Sequence, residues 1–560
     1  MQSTWGTMCF MKIHTLIISA IALIISSTSN AVHPRDFVSD GALAILSIRD
    51  GDAINSLTKE VSQQANFKSK ESLLANYLSL FIINPNSIDF SEEIIFVIEP
   101  TVAADGQRPT GMFGAMPHLV FICKPKEGKT LDINKTYLTG SVLYDDWFIA
   151  SGGKTVIEPE TFNKSPILKF LKKNQVSMAI KFGELWKQIG PIVQMTGGMM
   201  VGSMNKPGSD GIISPETKKA ATDARKAFGE LMKLCGDVEV ISMDVLIKDF
   251  KLATSVNISL KTPEDISINN KSMLQMASLL ADDMFQYGMS SELTRKLLDY
   301  DIASMQGIPL DESFLYADGF PVIITKGMKL LSDLSGDNVV SYNLTSQNGL
   351  SIAALTEVES QKEYLAAIPN LMNEFTGVLL NDMNMSITPS VGTKNSWDIS
   401  MIGSGPNDQK ILNAIFPKND TLRFRKYAKD KISIALGPSN WKSLSVKRAT
   451  PLAKTIKKSK DIDIDFALSF DARDFACGFA DVSKVAGQAE GITPLKTTPS
   501  AMVSFVFGRS RTGYAVQGEA DLMGMAKVMR DIETAGKERA AYIKTRPSNG
   551  ASGIVGAKGN

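Results

Sequence analysis

The segment DFALSF (465–470) reads as a strand and leads into a short helix over Ala472–Val485, ARDFACGFADVSKV. The same order occurs earlier in the chain. There, Ala179-Ile180-Lys181-Phe182 leads into a helical stretch over Glu184–Val193. A second anchor precedes each copy: Ile149-Ala150-Ser151-Gly152 in the first and Ile434-Ala435-Leu436-Gly437 in the second. Phe182 lies thirty residues after Gly152, and Phe470 lies thirty-three after Gly437. The opening strand-helix units, Leu43–Leu57 and Leu350–Leu365, also correspond. Short apolar runs recur by chance, so the shared order carries the reading. It predicts an α+β fold of two similar strand-rich halves, an internal duplication, with antiparallel sheets and amphipathic helices packed on one face.

Working outward, Ile94–Glu99, His118–Cys123, Leu138–Leu143 and Trp147–Ala150 read as strands, and Val238–Leu260 as two long ones. Ser214-Pro215-Glu216 starts a helix that runs to about Leu234 and stops at Gly236. Lys271–Gln286 is expected as an amphipathic helix, with Met273, Met276, Leu280 and Met284 on one face. Ser360-x-x-Glu363 is a capping box. Met385–Thr388 and Trp397–Ile402 look like paired strands, and Ala501–Phe507 with Thr512–Ala520 form another pair. Met195–Pro207 is rich in Gly and Met without a clear period. It reads as a flexible loop, or as an adaptable apolar contact surface.

The N-terminus has the pattern of an export signal. Met11-Lys12-Ile13-His14 is basic, Leu16–Ile25 is an apolar run too short to span a bilayer, and Ser29-Asn30-Ala31 supplies small residues before Val32. The alternatives are an uncleaved anchor and a true start at Met11. The expected organisation is a signal peptide over 1–31, a first half over 32–310 with an insertion near 195–235, a second half over 311–543, and a disordered tail over 544–560. No later apolar run is long enough to span a membrane. The protein is thus expected to be exported, periplasmic or extracellular. Of the four cysteines, Cys123, Cys235 and Cys477 lie beyond Ala31; three is odd, so at most one internal disulfide forms among them.

The 560 residues are 44% hydrophobic and 21% charged, with a formal net charge of +1 and three histidines. This is globular composition; it argues against a wholesale nucleic-acid binder, a zinc-finger array or a disulfide-dense scaffold. There is no Gly-x-Ser-x-Gly elbow and no His-Glu-x-x-His. Gly197-Gly198-Met199-Met200-Val201-Gly202 lacks the lysine of a P-loop. Asp461-Ile462-Asp463-Ile464-Asp465 starts like a calcium loop but lacks its glycine and twelfth-position glutamate, so a solvated strand face is expected. No cofactor, metal or catalytic residue is assigned.

One feature rises above background. Residues 423–460 hold twelve basic side chains against one acid, Asp430, a net of +11. Arg423, Arg425, Lys426, Lys454, Lys457, Lys458 and Lys460 are the candidate anion-binding residues, the last four expected in a loop. The partners this implies are anionic lipid or polysaccharide, or another envelope protein, with no nucleic acid. The function expected is that of an exported, non-enzymatic binding or scaffold protein. The alternatives are a periplasmic hydrolase or lyase using carboxylate and Lys chemistry, and a lipid-binding carrier. The export reading has a direct check: N-terminal sequencing of the secreted protein is expected to begin at Val32 or within a few residues of it, and a full-length cytoplasmic product would refute it.

Overall fold

The computed structural model describes residues 32–65, 73–100, 117–153, 165–203, 215–280, 284–296, 335–345, 349–382, 385–401, 406–415, 421–437, 450–485 and 500–545. The chain is mixed α+β and its strands pair antiparallel throughout the described residues. It divides into two compact units: Met1–Arg49 with Leu78–Lys169, and Asp50–Tyr77 with Phe170–Asn560. The predicted boundary at 310/311 and the tail from 546 onward lie outside the described residues.

The first unit holds β1 (Ala44–Ile48), β2 (Ile94–Glu99), β3 (His118–Cys123), β4 (Gly140–Tyr144) and β5 (Trp147–Ser151). Their order in the sheet is β1-β2-β3-β5-β4. The runs IIFVIE and HLVFIC are rich in β-branched and aromatic residues, which suit a pleated surface covered on both sides. Ile94, Ile95, Val120, Phe121 and Ile122 are fully buried, and the Phe96 and Phe121 rings meet at 4.9 Å. Two carboxylates are buried with them, Glu93 and Glu99. Glu93 is 8% exposed and receives Arg35 at 2.6 Å, Arg49 at 3.4 Å and the Ser47 hydroxyl. This ties the segment after Val32 to the sheet, and Trp147 Nε1 donates to the Val32 carbonyl at 2.9 Å.

The second unit contains the remaining elements. In chain order they are α1 (Gly51–Gln64), α2 (Leu73–Leu78, whose last residue belongs to the first unit), β6 (Val176–Ile180), α3 (Phe182–Ser203), α4 (Pro215–Asp237), β7 (Val238–Lys248), β8 (Lys251–Leu260), α5 (Lys271–Ala277), β9 (Phe285–Met289), β10 (Ser335–Thr345), β11 (Gly349–Val358), α6 (Gln361–Asp382), β12 (Met385–Pro389), β13 (Ser396–Met401), α7 (Pro406–Ile415), β14 (Thr421–Ala428), β15 (Lys431–Leu436), α8 (Pro451–Lys458), β16 (Asp463–Asp471), α9 (Ala472–Val485), β17 (Met502–Ser510), β18 (Gly513–Asp521) and α10 (Leu522–Thr545). The strands form one continuous ladder, β6-β7-β8-β18-β17-β16-β9-β10-β11-β15-β14-β13-β12.

Two parts of this ladder share an element order. β6 leads into helix α3, and the hairpin β7–β8 follows; β16 leads into α9, and the hairpin β17–β18 follows. The last strands of the two sets, β8 and β18, pair with each other antiparallel, Val256 opposite Val516. The Ile149 and Ile434 anchors behave differently. β5 lies between β3 and β4, whereas β15 lies between β11 and β14, so these two strands occupy different sheet positions.

Several local expectations change. The Gly/Met segment is helical to Ser203 rather than looped, because Gly197 lets the α4 helix come close: a Cβ there would stand 2.2 Å from the Phe228 ring. Lys271–Gln286 splits into helix α5 and the start of β9, where Phe285, Tyr287 and Met289 alternate with Gln286 and Gly288 and pair on both sides. Lys454, Lys457 and Lys458 sit on α8, not in a loop; Thr450 caps that helix by accepting the Ala453 N–H. At β7–β8 the turn residues Asp249 and Phe250 have φ of 50° and 60°, the geometry of a two-residue hairpin turn.

The helices occupy both faces of the second sheet. On one face α5 and α8 bury Val339, Leu355, Ala467 and Val506 under Met273, Met276, Leu452 and Ile456. On the other face, toward the β12 end, α6 buries Trp397, Phe424 and Ile432 under Tyr364, Ile368 and Met372. No described helix is long and apolar enough to cross a membrane.

The Glu93 cluster makes a pH-dependent prediction. Burial by itself raises the Glu93 carboxyl, but hydrogen bonds from Arg35 and Ser47 and the two guanidinium charges outweigh it, so the folded value is lowered. Its stabilisation is therefore present above the ordinary carboxylate range and is lost as pH falls through the lowered value. Glu93→Gln is expected to cost about 3 kcal/mol at pH 7. Thermal melts from pH 7 to pH 2.5 should show the wild-type advantage shrinking toward the acid end.

Candidate functional site

Side chains alternate across a strand, so antiparallel neighbours place matched residues on one face. In β9, β16 and β17 this alternation sends the small and polar residues under the helices. Gln286, Gly288, Ala467, Ser469 and Val506 all lie on the face covered by α5 and α8, and all are buried. Helix α5 comes so close that a Cβ on Gly288 would stand 2.9 Å from Met273 Sδ. The large side chains are thereby turned to the opposite face.

There Met178, Met243, Val256, Val516, Phe507, Phe466 and Met289 lie side by side across seven strands, and each is partly exposed. A second row runs Phe505, Leu468 and Tyr287. The aromatic rings touch one another: Tyr287 stacks on Tyr342 at 6.0 Å and on Phe466 at 6.2 Å, and Phe285 stacks on Phe470 at 6.1 Å. Burial, with the neighbouring Tyr342 hydroxyl, pushes the Tyr287 phenol up, so it stays neutral. Aromatic and aliphatic side chains that are partly exposed together have the chemistry that suits an apolar ligand.

One end of the strands carries a charged cluster. Arg509 Nη2 lies 2.9 Å from Glu292 and 3.0 Å from Asp463, and its Nε is 4.0 Å from Asp465. Burial raises the Asp465 carboxyl, against the Ser290 hydrogen bond and the Arg509 charge, which lower it. Burial also raises Asp337, which accepts the Ser291 N–H at 3.2 Å. The Asp461–Asp465 run is thus not a solvated strand face: Asp461 precedes the strand, a bulge interrupts the register between Ile464 and Phe466, and Asp463 and Asp465 face an arginine. Among the described residues no group of three or more His, Cys, Asp or Glu is arranged to hold a metal.

The predicted anion-binding residues fall into two sets. Arg423, Arg425 and Lys426 lie on β14, five strands along the ladder from β16. Lys454, Lys457 and Lys458 lie on α8, which packs against β16, and Lys460 follows that helix. Lys458 is paired with Glu519 at 2.7 Å. The helical spacing of Met273, Met276, Leu280 and Met284 extends the expected helix over Phe285 and Gln286 and hides the aromatic face; the alternation of Phe285, Tyr287 and Met289 is the signal that marks it. Cys123 is buried, and burial pushes its thiol up; Cys123, Cys235 and Cys477 form no disulfide among the described residues.

No protein-family model matches the chain, and neither a curated protein nor a solved structure matches it significantly.

The raised Asp337 gives a second pH prediction. A carboxyl whose folded value exceeds its unfolded one contributes least at neutral pH, and stability falls as pH rises through the folded value. Asp337→Asn keeps an acceptor for Ser291 and removes the charge. It is expected to raise the melting temperature at pH 7 and to leave it unchanged near pH 2.5, as read by differential scanning calorimetry.

Proposed function

We propose that this is an exported, non-enzymatic binding protein that holds an apolar ligand, such as an acyl chain, on the open face of its second sheet. The observation that carries the reading is the direction of the alternation. Small and polar residues lie under α5 and α8, while Tyr287, Phe466, Phe470, Phe505 and Phe507 stay partly exposed; the Phe285 end of this face packs against α7. A sheet with one watered face ordinarily turns its polar residues outward. Each methylene removed from water contributes about 0.8 kcal/mol, so half-covering a dozen of them gives roughly 5 kcal/mol, before any contact by a head group.

The Lys12/Leu16–Ile25/Ala31 pattern supports export to the periplasm or beyond, where acyl chains need a carrier or a surface to dock on. The shared strand-helix-hairpin order of β6–β8 and β16–β18 supports a duplication, confined to that module. In this reading the two copies meet at β8 and β18, and so make the open face twice as wide as one copy would.

The test is titration with an apolar naphthylamine dye, followed by competition with a long-chain fatty acid. Wild type is expected to enhance dye fluorescence, and the fatty acid to reverse it. Phe466→Asn with Phe505→Asn should weaken dye binding at least about tenfold, since each ring removed from an apolar site costs a kcal/mol or more. Circular dichroism should be unchanged, because both rings are only partly buried. Dye binding equal in wild type and variant would refute the assignment.

A further inference from the structure

The face opposite the aromatic one also has an opening. Beside helix α8 a groove of about 740 Å3 is floored by the ends of β7, β8, β16, β17 and β18. Helix α8 is fixed firmly enough to serve as its wall. Thr450 accepts the Ala453 N–H and donates to the Ala277 carbonyl, and the Leu452 N–H is taken by the buried Gln286 side chain at 3.2 Å.

Charge in the groove leans positive: Lys248, Lys251, Lys454 and Lys458 stand against Asp249, Glu519 and Asp521. Lys458 is paired with Glu519 at 2.7 Å, and one Asp521 oxygen accepts the Gly524 N–H at the start of α10 at 2.8 Å, which leaves the Asp521 charge in the groove. Lys248, Lys251 and Lys454 line the same groove and form no ion pair among the described residues; the acids left beside them are Asp249 in the exposed turn and Asp521, opposite Lys251 in the ladder. Lys248 and Lys251 flank that two-residue turn, so the hairpin brings them to the mouth together. On the floor lies Ser469, 1% exposed, whose hydroxyl has no hydrogen-bond partner. A buried hydroxyl left unpaired costs about 1–3 kcal/mol. A ligand oxygen in the groove would remove that cost.

We propose that this groove binds a phosphate-bearing ligand, with Lys248, Lys251 and Lys454 supplying the charge and the Ser469 hydroxyl donating to a phosphate oxygen. Of the basic residues singled out in the sequence, only Lys454 takes this role. Its partners come from a hairpin some two hundred residues earlier in the chain. The site is separate from the aromatic face and does not depend on it.

The probe is inorganic pyrophosphate, titrated into the full chain by isothermal calorimetry at low salt. Lys248→Ala/Lys251→Ala/Lys454→Ala is expected to weaken binding at least about thirtyfold, and Lys457→Ala/Lys460→Ala, which removes exposed lysines outside the groove, less than about twofold. Ser469→Ala should weaken it about fivefold without lowering the melting temperature, since the hydroxyl pairs with nothing in the free protein. Vesicles of phosphatidylglycerol then identify the source: competition with pyrophosphate assigns the groove to a lipid head group, and no competition assigns it to a soluble phosphate. The proposal is overturned if pyrophosphate does not bind, if the outer pair of lysines matters as much as the groove trio, or if Ser469→Ala leaves affinity unchanged.

Discussion

The close approach of helices α5 and α8 to strands β9 and β16 is the constraint on which the second unit depends. Close packing leaves room for Gly288, Ala467 and Ser469 on the covered face and for little else; Met273 fills the space a Cβ on Gly288 would need. A strand with small residues on one face can put its bulk only on the other, because successive side chains point opposite ways. The partly exposed rows of Phe, Tyr and Met are thus a consequence of tight packing behind them.

The two faces therefore differ in chemistry as well as in coverage. The aromatic face is broad and apolar, and the Tyr287 phenol on it is neutral. The covered face is rich in hydroxyl and amide groups. Most of these are satisfied locally: Gln286 by the α8 backbone, and Ser500 by donating to Asp471. Ser469 is unsatisfied, and it lies on the floor of the groove beside α8. An unpaired buried hydroxyl next to unpaired lysines is a combination that packing alone does not favour.

Charge inside the molecule is handled in two ways. Glu93 is surrounded by guanidinium groups and kept ionised, which fastens the segment after Val32. At Arg509 the balance is reversed: several carboxylates share one arginine, and burial pushes Asp465 and Asp337 toward the neutral form. Acid and neutral conditions should therefore act on these two clusters in opposite directions.

Local pattern alone determined a good part of the fold. The strands over Ile94–Glu99 and His118–Cys123, the β7–β8 and β17–β18 hairpins, the start of α4 and the α+β class follow from periodicity, turn residues and caps, which act over a few positions. Tertiary structure decided the rest. Helix α8 and strand β9 are too short to declare themselves, and they form because each buries one face against partners far away in sequence: Phe285 pairs with Phe470, and Gln286 reaches Leu452. The basic stretch looked like one feature along the chain, but its parts lie on β14 and around α8. Lys454 gained new neighbours, Lys248 and Lys251, only through the sheet order β7-β8-β18-β17-β16. Sequence records which residues can share a face of one strand; which strands stand side by side, and so which residues meet, is set by packing between segments hundreds of residues apart.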